Sequence, residues 1–220
     1  MEIKNYEREL KYLTLEGQEF SFKDVIDIFF DDGYSMVENR RKKKHETYFD
    51  DANLSVIKNG DVIRGSTHFN KDGTYFHFMF KKNVSRPDKP YVSKYEYGSG
   101  QFETVEGFVV ELGMPDIAAW LNPVLHAEMT RETAVFEKEE RRLLVSYDDV
   151  EYYKDTKDVN VYEKMLEVED WTTPYTTIAE NDVFDAHLLS INKRLLSKLP
   201  IQLTKNSKPY RGFLLLGGNL

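Results

Sequence analysis

The chain has 220 residues, and its 40% hydrophobic and 14% aromatic content suffices for a sizeable core. Its 38 acidic against 30 basic residues leave a net charge of −8. This argues against a general grip on nucleic acid or anionic lipid, so any polyanion must be held by a local basic cluster or through metal ions. With no cysteine there is neither a disulfide framework nor a thiolate metal site. Without an apolar run of signal-peptide or membrane-span length, a soluble cytoplasmic protein is expected. No repeat, low-complexity tract or linker divides the sequence, so one domain over 1–220 is expected.

In EIKNYERELKYLTL, Tyr6, Leu10 and Tyr12 fall on one face of an extended strand and Glu7, Glu9 and Lys11 on the other, with Arg8 the exception on the apolar side. Ser21 caps a predicted amphipathic helix through Phe22, Val25, Ile26 and Phe29, stopped by Gly33. HETYFDD, DVIRGSTHF and TYFHFMFKK read as an antiparallel meander, turned at Asn59-Gly60 and at Lys71-Asp72-Gly73. The basic run Arg40 to Lys44 reads as a solvated lead into the first of these strands. Residues 83–100, polar and broken by Pro87 and Pro90, are expected to form a long loop. Helices are predicted over Phe102, Val105, Val109 and Leu112, and from Pro115. HAEMTRETAVFE, RRLLVSYDDVEYY and VYEKMLEVED resume the strand habit, the last two separated by the turn-like KDTKDVN. Phe184, His187, Leu188, Ile191 and Leu195 then mark a helix ended by Pro200, and the tail SKPYRGFLLLGGNL returns as an edge strand or packs as a flap.

Glu163, Glu167 and Glu169 share one face of VYEKMLEVED, opposite Leu166 and Val168. Arg64, Lys81, Arg131 and Asp148 add charges of both signs from other strands. If these faces converge, the inside of the sheet is polar. An unpaired buried charge costs several kcal/mol, so such an interior must be wet, paired or metal-filled. A barrel supplies the lumen, with carboxylates suited to Mg²⁺ or Mn²⁺ and Arg and Lys suited to phosphate. Spacing alone leaves open the competing view that each charged pair lies on a solvated sheet face. The five histidines show no metal-ligand spacing and read as structural or exposed, with His77 set apart by sharing strand parity with Lys81. Tyr48, Phe49 and Asp50 read mainly as a strand end.

These residues resemble the CYTH superfamily of triphosphate tunnel metalloenzymes. Its N-terminal ExExK strand is matched by Glu7, Glu9 and Lys11; YFDDANLSVIKNGDVIRGS is similar to its YFD segment, turn and Arg-bearing strand, and SYDDV and MLEVE to its later acidic strands. The resemblance implies an α+β fold, an antiparallel eight-stranded β-barrel with helices packed outside. It implies metal at Glu7, Glu9, Glu167 and Glu169, phosphate at Lys11, Arg64, Lys81, Arg131 and Lys208, and catalytic roles for Glu9, Lys11 and Asp148. Lys208 lies in SKPY, where Pro209 interrupts the family's late Ser-Lys-Tyr segment. Ser66 and Met129 stand where the family commonly has an Arg and a Lys.

The implied activity is Mg²⁺- or Mn²⁺-dependent hydrolysis of a small-molecule triphosphate or polyphosphate: inorganic triphosphate, a nucleoside triphosphate or thiamine triphosphate. The alternatives are an adenylate cyclase of the same superfamily and, given Ser66 and Met129, a non-catalytic polyphosphate- or nucleotide-binding module. No nucleic-acid or membrane partner is expected, and a homodimer is left open.

Overall fold

In strand β1 (Asn5–Thr14), Leu10 and Tyr12 are fully buried beneath helices, while Glu7, Glu9 and Lys11 are buried on the opposite face. The computed structural model, which describes residues 5–70, 73–99, 102–171 and 182–218, repeats this division around a ring of strands. After β1 come α1 (Phe22–Asp31), β2 (Ser35–Asp50), α2 (Ser55–Lys58), β3 (Val62–Asn70), β4 (Gly73–Asn83) and β5 (Val92–Ser99). The second half runs α3 (Val105–Glu111), α4 (Pro115–Ala118), β6 (Asn122–Lys138), β7 (Arg141–Tyr153), β8 (Asn160–Asp170), α5 (Asp182–Lys198), β9 (Ile201–Thr204) and α6 (Lys208–Leu215). The order β5-β4-β3-β2-β6-β7-β8-β1 is antiparallel throughout, and a β1–β5 pair closes it into an eight-stranded barrel. Strand β9 is added beside the second half of β1. The fold is the α+β barrel with external helices that the sequence led us to expect.

The apolar core lies outside the barrel wall. On one side Leu10, Tyr12, Val145, Leu166 and Val168 pack against Val25 and Phe29 of α1 and Leu188, Ile191 and Leu195 of α5. On the other, Ile63, Phe78, Phe80 and Tyr97 pack against Val105, Phe108 and Val109 of α3. Each such side chain contributes on the order of 1.5–3 kcal/mol by leaving water, which leaves the inner face free to be polar. Ser21 caps α1 with a capping box, and Gly33 follows at φ +80°, a conformation open to glycine. Arg8, on the apolar side as predicted, is neutralised there by Asp170 at 2.9 Å.

Three expectations are corrected. Residues 83–100 are not one long loop: Val92–Ser99 form β5, the strand that closes the barrel. The basic run is solvated at Arg40, Arg41 and Lys43 but not throughout: it belongs to β2, whose alternate residues turn inward, so Lys44 is only 4% exposed. The tail from Lys208 is not an edge strand but helix α6, packed against Tyr152 and Leu125, the edge strand being Ile201–Thr204. The predicted turn residues Lys71-Asp72 and the side chain of Phe184 lie outside the described residues.

Candidate functional site

The inner face is built by parity. Side chains alternate along a strand, so once the apolar set faces the helices the intervening set must face the lumen. One cavity of about 60 Å³ is lined by Glu7, Glu9 and Lys11 of β1, Arg64 of β3, Lys81 of β4, Lys94 of β5, Arg131 of β6, Ser146 of β7, Glu167 and Glu169 of β8, and Lys208 of α6. Every sequence-predicted metal or phosphate residue is on that wall. Asp148 is not; it lies behind it, fully buried.

The charges are paired with one another. Arg131 donates to both oxygens of Asp148, at 2.6 and 2.5 Å, and to Glu167 at 2.8 Å. The Lys208 ammonium lies 2.5 Å from Glu167 and 3.0 Å from Asp148. Lys11 lies between Glu9 at 2.9 Å and Glu167 at 3.3 Å. Lys81 holds Glu7 at 2.7 Å and Glu96 at 2.5 Å. On β2, Glu46 accepts from Lys44 at 2.8 Å and from the Tyr48 hydroxyl, and Arg64 forms an ion pair with it at 2.8 Å.

One end of the lumen is plugged. Leu125, Ala127, Met129, Val150 and Tyr152 form an apolar cluster there, partly covered by Leu216 just beyond α6. Gly212 of α6 lies so close that a Cβ would stand 2.5 Å from the Tyr152 ring. This seat, with Arg211 donating to Glu163 at 2.5 Å, delivers Lys208 into the cavity.

Burial and charge pull the carboxylates apart. Burial pushes Glu7 up to about 7, only partly opposed by Lys81. Burial and the neighbouring Glu7 carry Glu169 well above the ordinary carboxylate range. Burial also acts to raise Glu167, but Lys208, Lys11 and Arg131 outweigh it and hold that carboxyl well below the usual range. Lys44 is pushed down to about 7 by burial and by Arg131, and Lys94 to about 7 by burial and by Lys11.

Among the described residues no three Asp, Glu or His side chains are already gathered to hold a metal ion. The donor set still fits a hard cation in kind. Glu9 and Glu169 stand opposite each other across β1 and β8, with Glu7 two residues along β1, and burial, helped by neighbouring carboxylates, raises Glu7 and Glu169. The Glu9 Oε1 atom is buried and, although Lys11 Nζ lies 2.9 Å away, lacks a well-directed hydrogen bond. Lysines currently neutralise this wall.

The sequence reading missed Lys44, Glu46, Lys94 and Glu96. All four sit in the alternation K-x-E, in KHE and KYE, which puts a cation and a carboxylate on one strand face. That signal could have found them. Ser66, where a second Arg was expected, places its hydroxyl 3.5 Å from Glu46.

No protein-family model and no curated protein matches the chain. Solved structures do. The PH1819 protein from Pyrococcus horikoshii aligns with a TM-score of 0.57 at 16% identity, over 95% of this chain and 98% of that one. HpAC1 from Hippeastrum, described as a candidate adenylyl cyclase with a dominant triphosphatase activity, aligns with a TM-score of 0.53 at 15% identity, covering 97% of each chain. A chain of the Schizosaccharomyces pombe Mediator head module aligns with a TM-score of 0.51 at 9% identity, over 89% and 97%. At these identities the likeness is one of fold. No helix among the described residues is long and apolar enough to cross a membrane.

Proposed function

We propose that the chain is a divalent-metal-dependent hydrolase acting on a triphosphate drawn into the barrel. The observation that supports this most is the cavity in which the carboxylates Glu7, Glu9, Glu167 and Glu169 and the cations Lys11, Arg64, Lys81, Arg131 and Lys208 line one wall, interleaved with one another. Fold likeness is shared by proteins as different in description as HpAC1 and a Mediator chain, so the side chains carry the reaction.

Glu7, Glu9, Glu167 and Glu169 would hold Mg²⁺ or Mn²⁺, which when bound supplies neutralisation of phosphate oxygens and polarisation of an attacking water. Lys11, Arg64, Lys81, Arg131 and Lys208 would take the phosphate oxygens in charge-assisted hydrogen bonds and align the chain of phosphorus atoms. Asp148 acts as a positioning residue, fixing Arg131 and Lys208 from behind. At about 60 Å³ the cavity is far below the roughly 300 Å³ of a common ligand pocket. Entry of a triphosphate therefore requires the internal pairs to part, cations turning to phosphate and carboxylates to metal.

The description of HpAC1 names both a cyclase and a triphosphatase, and its dominant activity favours hydrolysis as the first reading. The test is a panel of tripolyphosphate, ATP and thiamine triphosphate with Mg²⁺ and Mn²⁺, with product identification. Orthophosphate release supports hydrolysis, and cyclic AMP with pyrophosphate supports the cyclase. Tight metal-dependent binding without turnover supports a binding module. Glu9→Gln is expected to lower turnover roughly a hundredfold or more, because a metal contact is worth several kcal/mol in the transition state. Full activity in that variant removes the proposal.

A further inference from the structure

The inner wall does not end at the charged cavity. Across β2, β3 and β4 the inward residues form rows: Tyr48, Arg64 and Met79; then Glu46, Ser66 and His77; then Lys44, His68 and Tyr75. Each row is two residues further along the strands. At about 3.3 Å per residue, His68 stands roughly 13 Å beyond Arg64, away from Val62 and the level of Leu125, and in the row where Met129 lies across β2.

Three rings meet in those last rows. The His68 and Tyr75 centroids are 4.4 Å apart with planes 5° apart, and His77 adds a ring 5.0 Å from His68 at 23°. His68 is only 7% exposed, yet both of its ring nitrogens are buried without a hydrogen-bond partner. Buried polar atoms are ordinarily paired, so an imidazole with neither nitrogen satisfied asks for a ligand. Burial, with Lys42 and Lys44 nearby, pushes this imidazole down to about 3, so it is neutral and offers one N–H donor and one acceptor nitrogen. Tyr75 remains 48% exposed despite its stacking, which leaves ring surface open at the end of the row.

The chemistry of the ligand is narrowed by its neighbours. Lys42, Lys44 and Arg64 act on this pair of imidazoles, which disfavours a metal ion on His68 and His77 and equally a cationic thiazolium ring. A neutral imidazole is a poor partner for another phosphate. What remains is a flat, uncharged ring with donors and acceptors along its edge. We infer that His68, Tyr75 and His77 form the seat for the base of a nucleoside triphosphate whose phosphates lie at Arg64 and Lys81. This rests on the triphosphate reading above and adds its substrate class; none of the three residues belongs to the ExExK or later acidic strand patterns.

The test compares ATP, GTP and CTP with inorganic tripolyphosphate in the full-length protein and in His68→Ala and Tyr75→Ala. KM is determined with Mg²⁺ or Mn²⁺, and binding is read in parallel by calorimetry. Loss of one stacking partner is expected to raise KM and weaken binding for the nucleotides on the order of tenfold, with tripolyphosphate unchanged. Tyr75→Ala alters a half-exposed side chain, so it reports even if His68→Ala fails to fold. Equal effects on nucleotides and tripolyphosphate, or none on either, overturn the base seat while leaving the triphosphatase reading intact. Absence of all turnover overturns that reading, yet selective loss of nucleotide binding in the variants would still support the seat.

Discussion

Across the β2–β6 pair Lys44 stands directly opposite Met129, so a cation enters the barrel from β2 at the level where β6 offers none. Its ammonium lies 2.8 Å from Glu46 and is almost fully buried. Lys44 thus supplies at this level the cation that Met129 does not.

This lysine makes stability depend on pH in an unusual direction. Its folded-state value is pushed down to about 7, against 10.5 in the unfolded chain. Between those values the unfolded chain holds a proton that the native state has released, so the Lys44 contribution to stability rises with pH. Below about 7 both states are protonated and the slope vanishes. Urea midpoints of wild type and Lys44→Met, followed from about pH 7 to about pH 10, should show wild type gaining on the variant. A constant gap would show that Lys44 is not held at a lowered value.

Gly212 tests how Lys208 reaches the cavity. A Cβ there would stand 2.5 and 2.7 Å from Tyr152 ring atoms and 2.9 Å from Leu125, none of which can yield cheaply. Overpacking of this kind costs about 1–3 kcal/mol, or roughly 2–12 °C of melting temperature for a chain of this size. Gly212→Ala is therefore expected to melt earlier and, by tilting α6, to lose activity beyond what the lower stability explains. Unchanged activity would separate the seating of α6 from the site.

Glu7, Glu9 and Lys11 were legible because β1 alternates cleanly, and the helices were legible because their apolar faces repeat at helical spacing. Strand β5 was not, for the same physical reason that makes the barrel work. Val92, Lys94 and Glu96 face a polar lumen, so the strand lacks the hydrophobic alternation that marks a half-buried sheet, and the preceding prolines suggested a loop. The run from Arg40 to Lys44 misled in a related way, since Lys42 and Lys44 turn inward while Lys43 stays outside. His68 could not be singled out from sequence. Its significance lies in two unsatisfied nitrogens and a stacked neighbour across β3–β4, which only the register supplies. Asp148 was read as an acidic strand residue with a catalytic role, and its position behind Arg131 emerges only from distances.

Asp148 is fully buried and shared by Arg131 and Lys208. Asp148→Asn leaves those two cations on Glu167 alone, and breaking a buried pair costs roughly 3–5 kcal/mol. Removing Lys208 as well should recover part of that loss, because the second substitution deletes a cation the first has orphaned. Denaturant midpoints of Asp148→Asn, Lys208→Met and the double variant measure this coupling. Simple addition of the two single effects would mean that the pair at 3.0 Å carries no energy.

Self-neutralisation of the cavity predicts how ligands bind. Metal alone would have to draw Glu7 and Glu9 away from Lys81 and Lys11, leaving those two buried ammonium groups with Glu96 and Glu167 alone. A triphosphate alone would take the same lysines and strand the carboxylates. Together, each ligand satisfies the groups that the other releases, so each should tighten the other, and by linkage the effect is mutual. A ligand at a hundred times its dissociation constant stabilises by about 2.7 kcal/mol, roughly 5–10 °C of melting temperature for a chain of this length. Thermal melts with Mg²⁺ or Mn²⁺ alone, with tripolyphosphate alone and with both should therefore show a joint shift larger than the two separate shifts combined. Glu9→Gln, which weakens the metal side only, should shrink the joint shift towards that of tripolyphosphate alone. Equal shifts with and without metal would mean that the carboxylates and the cations of the cavity act independently.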